Sequence, residues 1–134
     1  MYWQHFKCVT YWSIFILVLC GLPGSSFPRL AFLDWLRPDK IVHLFLFGVE
    51  SFLLISAFNR QTLSNKLRRR ARFQGVLIAI LYGILVEVLQ STIFIGRSGD
   101  YRDAIANAIG AFIGLAIFNK LQKSHHDLFL LKSC

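Results

Sequence analysis

Four apolar blocks, each cut off from the next by charge, decide what this chain can become. They occupy approximately residues 6–22, 39–58, 75–95 and 102–120. A helix rises about 1.5 Å per residue, so roughly 20 apolar residues cross a hydrocarbon layer about 30 Å thick. Hydrophobic residues make up 55% of the 134, and mean hydropathy is +0.53. That balance belongs to a membrane protein rather than to a soluble core. The expected fold is all-α: residues 1–134 as one domain, an integral membrane bundle of four transmembrane helices.

The first block has the outline of a signal peptide, with Lys7 followed by an apolar run to Cys20. Val18-Leu19-Cys20 lacks the small residues that a signal peptidase needs, and Leu19 spoils a lipoprotein site. The block is therefore expected to be retained as the first span, anchored at an interface by Tyr2, Trp3, Tyr11 and Trp12. Cys8 and Cys20 lie about 18 Å apart on such a helix and cannot bond to each other. Between Pro23 and Pro38, the segment Arg29–Arg37 is too short to span. Its apolar bulk, Trp35 and flanking charges suit a short helix lying in the interface, with a plain surface loop as the alternative.

Residues 59–74 carry Arg60, Lys66, Arg68, Arg69, Arg70 and Arg72 and no acid. A free-standing run of this kind could bind nucleic acid or anionic lipid. Between two spans it is read as a topogenic signal that keeps its loop in the cytoplasm, and no nucleic-acid partner is expected. Both termini are then cytoplasmic as well, while residues 23–40 and 96–103 face outward. The remaining cations agree: Lys7, Lys120, Lys123 and Lys132 fall inside, and only Arg29, Arg37, Lys40, Arg97 and Arg102 outside.

The third span holds thirteen Val, Leu, Ile and Phe residues, contributing about −4 to −8 kcal/mol to insertion. One central carboxylate costs about 2.5–3.5 kcal/mol, so the span inserts despite Glu87. The fourth, Ala104–Phe118, is thin and is expected to borrow turns from Tyr101 to Gln122. Ala106, Gly110 and Gly114 recur every four residues on it, a stripe for close helix approach within the bundle, in a homo-oligomer or against another membrane protein.

The polar residues of the spans gather near the outward loop. From a boundary at Lys40, Ile95 and Asp103, His43 lies about 5 Å deep, Asn107 about 6, Gln90 about 7, Glu87 about 12 and Glu50 about 15. Glu87 and Gln90 point the same way, and His43 shares a helix face with Glu50. Ionisable residues at such depths suggest a site. The alternative is that they tie helices together through hydrogen bonds. Lys40, Arg97 and Arg102 are expected as cations at the mouth, beside a Gly-rich turn whose backbone N–H groups can meet an anion. The candidate ligand-binding set is Asp39, Lys40, His43, Glu87, Gln90, Arg97, Asp100, Arg102, Asp103 and Asn107. It suits an amphiphile with an anionic or sugar-bearing headgroup: a membrane lipid or a lipid-linked envelope precursor.

No catalytic residue is assigned. There is no nucleophile elbow and no Cys–His arrangement, so an enzyme acting on a lipid headgroup would have to use Glu87 or His43 as base. One His and two Glu are a thin ligand set, and no metal or other cofactor is expected.

These residues also carry a resemblance. Glu87-x-x-Gln90, the Gly96-Arg97 turn and Asp103-x-x-x-Asn107-x-x-Gly110-x-x-x-Gly114 resemble the VanZ-like membrane proteins, as does Asp39-Lys40-Ile-Val-His43 at the head of the second block. The similarity covers residues 39–118. It implies a multi-pass protein of the bacterial cytoplasmic membrane and the cell envelope. The family takes its name from a protein implicated in resistance to the glycopeptide teicoplanin. The resemblance implies a class and a compartment, not a reaction.

Overall fold

In a computed structural model, residues 3–22, 38–96 and 99–123 are described. They form five helices: α1 (Trp3–Gly21), α2 (Pro38–Arg60), α3 (Asn65–Arg69), α4 (Ala71–Thr92) and α5 (Tyr101–Lys123). No strand occurs among the described residues. Segments Lys40–Arg60, Ala71–Thr92 and Tyr101–Lys123 are long and apolar enough to cross a membrane, and a shorter apolar helix, Phe6–Gly21, accompanies them. The fold is all-α, a four-helix membrane bundle. The segment expected to form an interfacial helix lies outside the described residues.

Both ends of α4 differ from its apolar run. α4 starts at Ala71, ahead of Gly75, and stops at Thr92, short of Ile95. Arg72 and Gln74 are good helix formers that can reach back to an interface, so the helix outlasts the hydrophobicity. At the other end the chain turns through Gly96, whose φ of 76° suits glycine. The basic stretch is also more structured than a plain loop. The Ser64 hydroxyl accepts from the Leu67 N–H at 3.4 Å and caps α3. Gln61 braces that cap, donating to the Ser64 carbonyl at 2.8 Å and accepting from its N–H at 3.1 Å.

α2 sits at the centre and packs against every other helix, most extensively against α5. The cause is visible in the sequence. A Cβ on Gly110 would collide with the Leu44 carbonyl of α2, and one on Gly114 with the Gly48 carbonyl. Gly48 completes the seam: a Cβ there would come within 3.3 Å of the Gly110 carbonyl. Ala106, in line with both α5 glycines, is buried. On α4, Gly75 lies against the backbone of Ile55, and a Cβ on Gly83 would sit 2.9 Å from Asn107 Cβ. In lipid, close packing replaces the hydrophobic effect as the force between helices, and small residues permit it.

Leu54, Ile55, Val76, Ala79, Ala111 and Phe118 fill the core at one level, and Ile16, Leu46, Phe47 and Val86 at another. The outside is apolar too: Phe45, Leu81, Leu85, Val88, Ile105 and Phe112 are exposed. A soluble protein seldom leaves so continuous an apolar surface uncovered; a bilayer covers it.

α1 is joined to the bundle by hydrogen bonds along its length. Trp12 Nε1 donates to the Leu46 carbonyl at 3.0 Å, Ser13 Oγ to Glu50 Oε1 at 2.8 Å and Tyr82 OH to the Ser13 carbonyl at 2.6 Å. Near its end, Gln90 Nε2 donates to the Cys20 carbonyl at 3.0 Å.

Candidate functional site

Because neighbouring spans alternate in direction, α2 and α5 begin at the end of the bundle where α4 finishes. His43 in the second turn of α2, Glu87 near the end of α4, and Asp103 and Asn107 in the first turns of α5 are thereby brought to one level. All four are more than nine-tenths buried. His43 Nδ1 lies 3.0 Å from Asn107 Oδ1 and 3.7 Å from Glu87 Oε1. The small residues explain how these side chains meet: Gly83 gives Asn107 room beside α4.

The loop before α5 closes the cluster. A Cβ on Gly99 would lie 2.7 Å from the Glu87 carbonyl oxygen, so only glycine lets the chain rest this close to the end of α4. The Asp100 N–H then reaches Glu87 Oε2 at 3.1 Å. Asp100 opens α5, accepting from the Arg102 N–H at 2.9 Å, while its carbonyl accepts from Asp103 N–H at 2.8 Å. The Arg102 N–H, and then the Lys40 ammonium, hold the Asp100 carboxyl below its ordinary range. Lys40 Nζ bridges Asp103 and Asp100, at 3.2 Å from the latter.

Of the sequence candidates, Lys40, His43, Glu87, Asp100, Asp103 and Asn107 therefore stand together. Gln90 does not join them. One turn beyond Glu87, it is rotated towards α1 and held by the Cys20 carbonyl. The exposed Arg102 places its Cζ 5.7 Å from the centre of the Tyr101 ring. Arg97 and the Asp39 side chain lie outside the described residues. Glu50 shares a face with His43 by spacing, yet it bonds to Ser13 of α1 in a separate polar cluster with Tyr82. The sequence reading missed Ser13 and Tyr82, and also Gly83 and Gly99 as spacers. No periodicity within one helix could have found partners that lie on different helices.

Among the described residues, the charges next to the cluster are mostly acidic. Lys40 is already shared between two carboxylates, and Glu87 adds a third. The cluster is therefore acidic, favouring a cation or a hydrogen-bond donor over an anion. Two buried atoms there have no hydrogen-bond partner among the described residues, Glu87 Oε1 and Asn107 Nδ2. Such a site can accept and donate hydrogen bonds, and His43 with Glu87 can move a proton. None of the clustered side chains is a Ser, Thr or Cys nucleophile.

The fold and this cluster define a multi-pass helical membrane protein with a polar site sunk into one end of its bundle. The chain belongs to the VanZ/LLP1 family, whose model matches residues 4–122. Comparison with curated proteins and with solved structures returned no match.

Proposed function

We propose that the protein resides in the bacterial cytoplasmic membrane with both termini inside, and binds the headgroup of a lipid-linked or lipid-tailed envelope molecule at the His43–Glu87–Asn107 cluster. The observation that carries this reading is the open pair of Glu87 Oε1 and Asn107 Nδ2, an acceptor and a donor buried without partners. An unsatisfied buried polar group costs about 1–3 kcal/mol, and a hydroxyl, which both donates and accepts, would satisfy the two together. A sugar-bearing headgroup offers such hydroxyls. With Lys40 engaged by two acids, sugar recognition is favoured over capture of an anion. By family, the biological consequence would be altered susceptibility to glycopeptides such as teicoplanin. The close approach of His43 to Glu87 supports a second reading, an enzyme acting on the headgroup with Glu87 or His43 as base.

Mass spectrometry of protein purified gently from its own membrane tests the binding. A defined glycolipid or lipid-linked sugar should be retained by the wild type and depleted in Asn107→Ala at equal abundance. Retention of bulk phospholipid alone, unchanged by the substitution, would overturn the reading. For orientation, single cysteines at the exposed positions 101 and 102 should react with an impermeant reagent in intact cells, and cysteines at 66–70 should not. Reversal of the pattern would invert the topology.

A further inference from the structure

We propose that His43, Glu87 and Asp103 bind one divalent transition-metal ion at the loop end of the bundle. An imidazole nitrogen and one carboxylate oxygen from each acid lie within 4.8 Å of one another, on three different helices, and all three residues are buried. From the sequence alone, His43 with Glu50 and Glu87 made too thin a ligand set for a metal to be expected. The structure turns Glu50 towards α1 and puts Asp103 in its place.

Two independent observations point to a cation. First, Glu87 Oε1 faces the cluster with no hydrogen-bond partner, although its side chain is more than nine-tenths buried. Its other oxygen is held by the Asp100 N–H, which fixes the carboxylate's orientation. Second, the charges do not balance. Among the described residues, Lys40 lies on Asp103 and Asp100, and Glu87 has only the His43 imidazole beside it, at 3.7 Å. A buried carboxylate needs a cation or a dense set of donors. Lys40 can remain on Asp100 while Asp103 turns an oxygen towards the ion. Asn107 Oδ1 lies 3.0 Å from His43 Nδ1, so a ligating His43 would use Nε2, with Asn107 as the outer partner that orients the ring.

The donor set selects the ion. One nitrogen with two carboxylate oxygens suits Zn²⁺, Mn²⁺ or Fe²⁺, whereas Ca²⁺ and Mg²⁺ prefer oxygen alone. A small inward closure would bring the three atoms to coordination distances of about 2.0–2.2 Å. Three protein ligands leave a position open, which a headgroup hydroxyl could enter. The ion itself is argued from the cluster and does not depend on the headgroup reading.

The test uses full-length protein in detergent, stripped of lipid and metal, with any affinity tag removed. His125→Ala and His126→Ala form the background, because adjacent histidines could bind metal by themselves. Co²⁺ is titrated with detection by visible absorption, and Zn²⁺ is then added as competitor. We expect one Co²⁺ per chain, displaced by Zn²⁺. Loss of an outer partner typically costs about 10–100-fold in metal affinity, so loss of a direct ligand in His43→Ala, Glu87→Gln or Asp103→Asn should exceed about 100-fold. Glu50→Gln should bind as the wild type does. Near-isosteric Glu87→Gln decides the matter if His43→Ala fails to fold, as judged by gel filtration and thermal melting. Absence of saturable uptake, or uptake unchanged in well-folded Glu87→Gln, would overturn the proposal. Because lipid is absent, failure here leaves the headgroup reading standing, and the lipid-retention result leaves this one standing.

Discussion

Gly110→Leu is expected to abolish accumulation of the folded protein in the membrane, and Gly114→Leu to do nearly the same. Overpacking a core typically costs about 1–3 kcal/mol because neighbouring side chains change rotamer to make room. No such relief exists here. A Cβ at either glycine meets a backbone carbonyl of α2, that of Leu44 or of Gly48. Only separation of α5 from α2 could accommodate a leucine, and this is the most extensive interface of the bundle. A loss above about 3 kcal/mol, the upper part of the overpacking range, is therefore expected. The site would go with it, because Asn107 reaches His43 and Asp103 reaches Lys40 across the same seam. Immunoblots of membrane fractions and thermal unfolding of the purified protein check the outcome. Phe112→Leu, on the exposed side of α5, serves as control and should change little. Wild-type abundance and melting in Gly110→Leu would show that the seam is not needed for assembly.

The bundle was legible because apolar length and small-residue spacing are properties of single helices. Ala106, Gly110 and Gly114 could be placed on one stripe by counting alone. Which surface that stripe would meet could not be counted, since Gly48 carries no sign that it pairs with Gly110. The site was legible to the same limit. Depth along each span gathered His43, Gln90 and Asn107 near one level, with Glu87 deeper in the same half of the bundle, but rotation about each helix axis determines what a side chain meets. Gln90 illustrates this: at three residues from Glu87 it shares the general direction, yet the offset turns it to α1. His43 and Glu50 lie two full turns apart and still serve different clusters, because His43 meets Asn107 of α5 while Glu50 meets Ser13 of α1. Lys40 shows the same limit for charge. In sequence it is a cation at a mouth; in the fold, antiparallel packing sets Asp100 and Asp103 against it. The ordered basic segment depended on the Gln61–Ser64 brace, two polar residues whose spacing alone is unremarkable.

Glu87 separates the functional readings, provided the assay is run in metal-free buffer so that only the headgroup is read. Its Oε2 takes the Asp100 N–H, and its Oε1 has no hydrogen-bond partner. Glu87→Gln keeps the size, an oxygen for the Asp100 N–H and a polar group on the open side. If Glu87 forms a hydrogen-bonding wall, the change alters one contact. Hydrogen bonds between helices in lipid average about 0.6 kcal/mol, with a maximum near 1.7, so headgroup retention should fall by less than about 20-fold. Glu87→Ala also leaves the Asp100 N–H without its acceptor, at about 1–3 kcal/mol, and should lose more. If Glu87 instead moves a proton, glutamine cannot, and the two variants should fall together by about 10²–10⁴-fold in turnover. A purely structural role gives a third pattern, in which Glu87→Ala and Asn107→Ala both lower abundance and the surviving protein binds normally. Retention or turnover is normalised to membrane protein level by immunoblot. Full abundance and full function in Glu87→Ala would remove this residue from all three accounts. The graded pattern is expected, because Glu87 is held by the backbone of a loop that glycine lays against α4, and none of the described side chains clustered with it is a nucleophile. That arrangement fixes a carboxylate in place as a wall for a ligand, whereas a general base must meet a group it can activate.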